Sequence, residues 1–93
     1  MSELELAGFI LRSEYRKKVF LLVDKLIMPS EVARTLNIRL THITRELRFL
    51  KERKLIECVN PKERVGRLYR LTAEGIRLKK QMIKEKLLID AQR

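Results

Sequence analysis

The stretch Pro29-Ser30-Glu31-Val32-Ala33-Arg34-Thr35-Leu36-Asn37-Ile38-Arg39-Leu40-Thr41-His42-Ile43-Thr44-Arg45-Glu46-Leu47-Arg48-Phe49-Leu50 decides how this chain folds. Ser30 followed by Glu31 predicts a helix start, because a hydroxyl caps orphan N–H groups and an acid suits the positive end of the helix dipole. Asn37 comes only six or seven residues later, and asparagine tolerates the left-handed backbone that ends helices. A second amphipathic run begins at once, with Leu40, Ile43, Leu47 and Leu50 spaced by three, four and three. Two short helices joined by a three- or four-residue turn predict helix-turn-helix geometry.

Upstream, Leu4, Leu6, Ala7, Ile10 and Leu11 mark a short helical segment. Ser13 is placed to cap a second helix carrying Tyr15, Val19, Phe20, Leu22, Val23 and Leu26. Leu26-Ile27-Met28 before Pro29 suits a brief strand. Downstream of Lys54 the period shortens: Leu55 to Val59 and Arg67 to Leu71 read as paired strands around the turn Asn60 to Gly66. Gly66 is expected to supply a positive φ there. Thr72 then caps a last helix with Ile76, Leu78, Met82, Ile83, Leu87 and Leu88 as its apolar set. The expected class is mainly α with a small β-hairpin, in one domain: helix-turn-helix near 30–54, hairpin near 55–72, terminal helix near 73–90.

Ninety-three residues suffice for one domain, and 45% apolar residues suffice for one small core. The longest uncharged apolar stretch, Leu6 to Leu11, is far short of the roughly 20 residues that cross a bilayer. No basic leader opens the chain, so no signal peptide is expected, and the protein is read as cytoplasmic with no membrane partner. One cysteine, Cys58, excludes an intrachain disulfide and a multi-cysteine zinc site. Lys and Arg number 22 against 12 acids, a formal charge of +10. Residues 1–33 are neutral overall, residues 34–70 carry +7 and residues 71–93 carry +3. Such asymmetry predicts one face shaped for a polyanion.

The letters carry a resemblance as well. Pro29 to Ile38 looks like the first half of a MarR/ArsR-type helix-turn-helix, and Thr41 to Ile56 looks like its recognition helix and exit. Gly66-Arg67-Leu68-Tyr69-Arg70-Leu71-Thr72-Ala73-Glu74-Gly75 is similar to the second wing strand and following helix of archaeal regulators of this kind. The resemblance covers about residues 13–76 and implies a winged helix-turn-helix fold with flanking terminal helices, in a DNA-binding transcriptional regulator. The chain departs from the pattern at three places. Lys54 stands where the family usually has a glycine, Arg39 where a Ser or Thr often caps, and Phe49 where a charge is common.

With Ile43, Leu47 and Leu50 turned inward, Arg39, Thr41, His42, Thr44, Arg45 and Arg48 point outward as candidate contacts to double-stranded DNA. Arg45 suits a bidentate contact to guanine. In the hairpin, Lys62 and Arg64 at the tip, with Arg67, are candidates for phosphate or the minor groove, while Arg70 suits a structural role. His42 is the only histidine, so no metal and no cofactor is expected. No paired nucleophile and base, carboxylate pair or phosphate loop marks an enzyme. The terminal set Ile76, Leu78, Met82, Ile83, Leu87 and Leu88 spreads wider than one chain easily covers, which predicts a homodimer interface. The alternatives are an architectural or RNA-binding winged helix and a protein-interaction module.

Overall fold

The computed structural model describes residues 1–88. Its order is α1 (Glu3–Leu11), α2 (Glu14–Leu22), α3 (Pro29–Leu36), α4 (Leu40–Glu52), β1 (Ile56–Cys58), β2 (Tyr69–Leu71) and α5 (Ala73–Lys84). The mainly helical class with a small hairpin is as expected, though both strands are shorter than their apolar runs.

Helix starts follow local chemistry. Ser2 and Glu5 form a reciprocal capping box at α1. The Ser2 N–H, and then its hydroxyl, hold the exposed Glu5 carboxyl below its ordinary pKa. Ser13 and Thr72 cap α2 and α5 as predicted, accepting from the N–H groups of Arg16 and Gly75 at 3.2 and 3.1 Å. Ser30 does not cap α3. The helix starts two residues earlier than a Ser30 cap would give, at Pro29, whose fixed φ and missing N–H suit a first helical position. Glu31 serves that end instead, accepting the Met28 N–H at 3.1 Å. Arg39 precedes α4 without a side-chain cap.

Three helices end in one motif. Asn37, Lys54 and Lys86 adopt φ of 55°, 62° and 62°. In each case the next N–H reaches back to a carbonyl five residues before it: Ile38 to Ala33, Leu55 to Leu50 and Leu87 to Met82. This is the Schellman closure, which glycine usually occupies. Lys54 therefore takes the left-handed turn that glycine adopts freely, at a cost on the order of 1 kcal/mol. The last closure ends α5 at Lys84, short of the expected 90, and turns Leu88 back into the core. Residues 89 and 90 of the expected helix lie outside the described residues.

The core is one cluster built from Ile10, Val19, Phe20, Val23, Val32, Ile43, Leu47, Leu50, Leu55, Ile56, Leu71, Leu78 and Met82, with Phe9 and Leu88 at its edges. Each fully buried Leu, Ile or Phe contributes roughly 1.5–3 kcal/mol relative to exposure. Leu40 is not part of it. Although it shares the spacing of the inward stripe, it is 48% exposed, at the first position of α4. β1 and β2 pair antiparallel with Cys58 opposite Tyr69 and Ile56 opposite Leu71. The other edge of β2 is also bonded: Tyr69 exchanges two main-chain hydrogen bonds with Ile27, and the Leu71 N–H donates to Val23. The brief strand expected there is reduced to this single bridge at Ile27, and the sheet has two strands.

Candidate nucleic-acid interface

Helix α4 carries unlike faces. Ile43, Glu46, Leu47 and Leu50 are buried, while Arg39, Thr41, Thr44, Arg45 and Arg48 are exposed. His42 is half-buried, its ring tilted 54° against Tyr15 at a centroid distance of 5.3 Å. Of the two acids on this helix, Glu52 stands at the far end. Glu46 lies inside, its side chain 3% exposed, with Oε1 accepting from Arg16 Nε at 2.9 Å. Its second oxygen lies 3.6 Å from Arg45. The outward surface at the N-terminal end of α4 is therefore cationic without an opposing acid.

Arg16 also donates to the Phe9 carbonyl at 2.7 Å. The guanidinium carbons of Arg16 and Arg53 lie 3.9 and 3.8 Å from the centre of the Phe9 ring. Two like charges that close to one ring occupy opposite faces, so Phe9 is clamped between them. Arg53 Nε has no hydrogen-bond partner among the described residues; the ring under its guanidinium offsets part of that loss. This cluster seats α4 on α1 and α2.

The hairpin is organised by Asn60. Its Oδ1 accepts the Leu68 N–H at 2.8 Å and its Nδ2 donates to the Gly66 carbonyl at 3.1 Å. Gly66 has φ 75°, as expected of the turn. Arg67 Nε donates to the Glu63 carbonyl at 2.7 Å, and Arg70 pairs with Glu57 across the strands at 2.9 Å. Lys62 and Arg64 are exposed and make no ion pair among the described residues. An open groove of about 440 Å³ runs between this tip and the start of α4, bordered by Leu40, Thr44, Arg64, Val65, Arg67 and Tyr69.

No protein-family model and no curated protein sequence matches the chain. Solved structures do. MarR from Escherichia coli in its reduced form aligns with TM-score 0.68 and 25% identity, over 85% of this chain and 62% of that one. TubR bound to 24 bp of tubC, from Bacillus thuringiensis serovar israelensis, aligns with TM-score 0.78 at 11% identity, over 91% and 96% of the two chains. The fold is the winged helix of MarR. A mutant of ZitR from Lactococcus lactis aligns with TM-score 0.69 at 22% identity, over 80% of this chain; the chain spans about half, 52%, of ZitR's length.

In winged-helix terms α4 takes the place of the recognition helix and the hairpin that of the wing. The groove brings together Thr44, Arg64 and Arg67 among the residues expected from sequence, on the side where the recognition helix begins. Arg39, Thr41, Arg45 and Arg48 are exposed along the same helix. Sequence reasoning missed Glu46 and Asn60. Glu46 was detectable, since it falls on the Ile43, Leu47 and Leu50 stripe where a charge must find a partner. Asn60 gave only a general turn signal. Phe49 is half-buried against the core, with the Arg16 and Arg48 guanidiniums each 5.4 Å from its ring.

The terminal-helix set divides. Leu78, Met82 and Leu88 are buried within their own chain, covered in part by α1. Ile76 and Leu87 are exposed, as is Leu4 beside Leu87, while Ile83 is half-buried against the core. Cys58 is a half-buried free thiol whose Sγ lies 3.6 Å from Asn60 Oδ1. Among the described residues no group of three or more His, Cys, Asp or Glu side chains could hold a metal ion. No described helix is long and apolar enough to cross a membrane.

Proposed function

We propose that this protein is a sequence-specific, double-stranded DNA-binding transcriptional regulator that acts as a homodimer. The recognition helix enters the major groove, where Arg45, Arg48, Thr41 and His42 reach base edges or phosphates. The wing places Lys62 and Arg64 on phosphates or in the minor groove. The observation that carries this reading is the acid-free cationic surface at the start of the recognition helix, bordered by a cationic wing. It is supported by the fold shared with TubR, which was solved bound to 24 bp of DNA. The burial of Glu46 matters here, because an exposed carboxylate at that position would oppose phosphate.

Duplexes selected from a random pool, titrated at several salt concentrations, test the reading. Each phosphate neutralised contributes about −0.9 to the slope of log K against log salt, so two subunits with three or four contacts each give roughly −5 to −7. A slope near zero removes nucleic acid from the partners.

Homodimer formation is supported by exposed apolar side chains on the terminal helices, with Leu4 at 81%. Two recognition helices about 34 Å apart would read successive major-groove faces. Leu87 is exposed, so Leu87→Glu is expected to leave the core intact while shifting the protein toward monomer and weakening DNA binding. Sedimentation equilibrium at micromolar protein checks this: a wild-type mass near 11.1 kDa at every concentration overturns the dimer.

A further inference from the structure

We propose that Leu40, with the methyl of Thr44 beside it, reads the C5-methyl group of thymine in the major groove, an inference that rests on the DNA-binding reading above. Leu40 opens the recognition helix and is 48% exposed, in a groove it shares with Arg64 and Arg67. A surface that met only phosphates would gain nothing from a half-exposed leucine, and water disfavours it. The leucine is not isolated. Val65, 86% exposed at the wing tip, borders the same groove, and Arg64 and Arg67 stand beside it. The partner that fits both features carries negative charge and presents an apolar group between its phosphates. In the major groove only thymine offers one.

Thr44 lies one turn further along, on the same stripe as Leu40. Its hydroxyl donates to the Thr41 carbonyl at 3.0 Å. The proton is thereby engaged within the helix, so Thr44 has no donor left for a base edge and its methyl extends the apolar surface of Leu40. Recognition helices read bases with side chains near their N-terminal ends, and both residues lie there.

The test uses a duplex selected by the full chain from a random pool, with each thymine replaced in turn by deoxyuridine, which removes only the methyl. Wild-type protein is expected to lose about fourfold in affinity at one thymine of each half-site, the effect of one methyl leaving an apolar contact. Leu40→Ala is expected to bind the thymine and deoxyuridine duplexes alike, with the salt slope unchanged because phosphate contacts are untouched. Leu40→Gln, which keeps the chain length but not the apolar surface, should behave in the same way. Specific binding by the wild type that ignores every methyl overturns the inference while leaving the DNA-binding reading intact. So does a methyl effect that persists undiminished in Leu40→Ala. Failure of the wild type to prefer any duplex overturns both.

Discussion

Gly75→Ala is expected to destabilise the protein by about 3 kcal/mol or more, at the upper end of overpacking changes. A Cβ at Gly75 would overlap the carbonyl oxygen of Leu55 and crowd the Leu71 side chain. That carbonyl is backbone, fixed by accepting the Thr72 N–H at 3.0 Å, so it cannot swing aside. Relief requires the first turn of α5 to lift from the start of β1, which loosens the Thr72 cap as well. In a domain of this size each kcal/mol moves the melting temperature by roughly 4–8 °C, so thermal unfolding should shift down by more than about 12 °C. Gly8→Ala is the matching control. Gly8 sits within α1, and a Cβ there meets nothing within 4 Å, so the change should stabilise by about 0.5–1 kcal/mol. Equal melting temperatures for Gly75→Ala and wild type would contradict the close approach.

Arg16→Ala is expected to cost about 3–5 kcal/mol, the range seen when one partner of a buried pair is removed. The substitution leaves the Glu46 carboxylate, 3% exposed, without the 2.9 Å hydrogen bond that compensates its burial. Arg45 is a poor substitute, since its nitrogen lies 3.6 Å away and its side chain is half in water. Phe9 also loses one of its two flanking guanidiniums, and its carbonyl loses a donor. The double change Arg16→Met with Glu46→Leu removes both charges and should recover most of the loss, as apolar replacements of buried pairs do. Urea unfolding of the two single variants and the double variant measures the coupling. Additive effects would mean that the two residues act independently.

Most of the architecture was legible because it rests on local chemistry. Periodicity located the five helices. Ser13 and Thr72 announced their caps, Asn37 its left-handed turn and Gly66 its positive φ. Pro29, not Ser30, set the start of α3, because a proline at the first helical position outweighs a hydroxyl one residue later. Lys86 carried no signal, since its left-handed turn depends on Leu87 and Leu88 folding back toward Met82. For the same reason Leu88 looked available to a partner, and Leu78 and Met82 did because their spacing does not show that α1 lies beside them. Spacing along one helix measures the width of its apolar stripe, but not which neighbour lies on it. At the candidate interface the exposed cations were legible from helical phase. Commitments to main-chain atoms were not: Arg67 closes the wing on the Glu63 carbonyl, and Thr44 turns its proton to Thr41. Such bonds depend on turn geometry that residue type alone does not specify.

The two-sided bonding of β2 has a mechanical consequence. Leu68 faces β1, its carbonyl accepting the Val59 N–H, while the next residue, Tyr69, turns both its main-chain groups to Ile27 on the other edge, and Ile27 leads through Met28 directly into α3. The hairpin and the helix pair are thus riveted by peptide groups, which no side-chain substitution can loosen one at a time. The distance between wing and recognition helix behaves as a fixed calibre within one subunit. In the proposed dimer, any adjustment to differently spaced half-sites would therefore come from pivoting of whole subunits, and changes at Lys62, Arg64 or Val65 alter what the tip presents without altering where it is held.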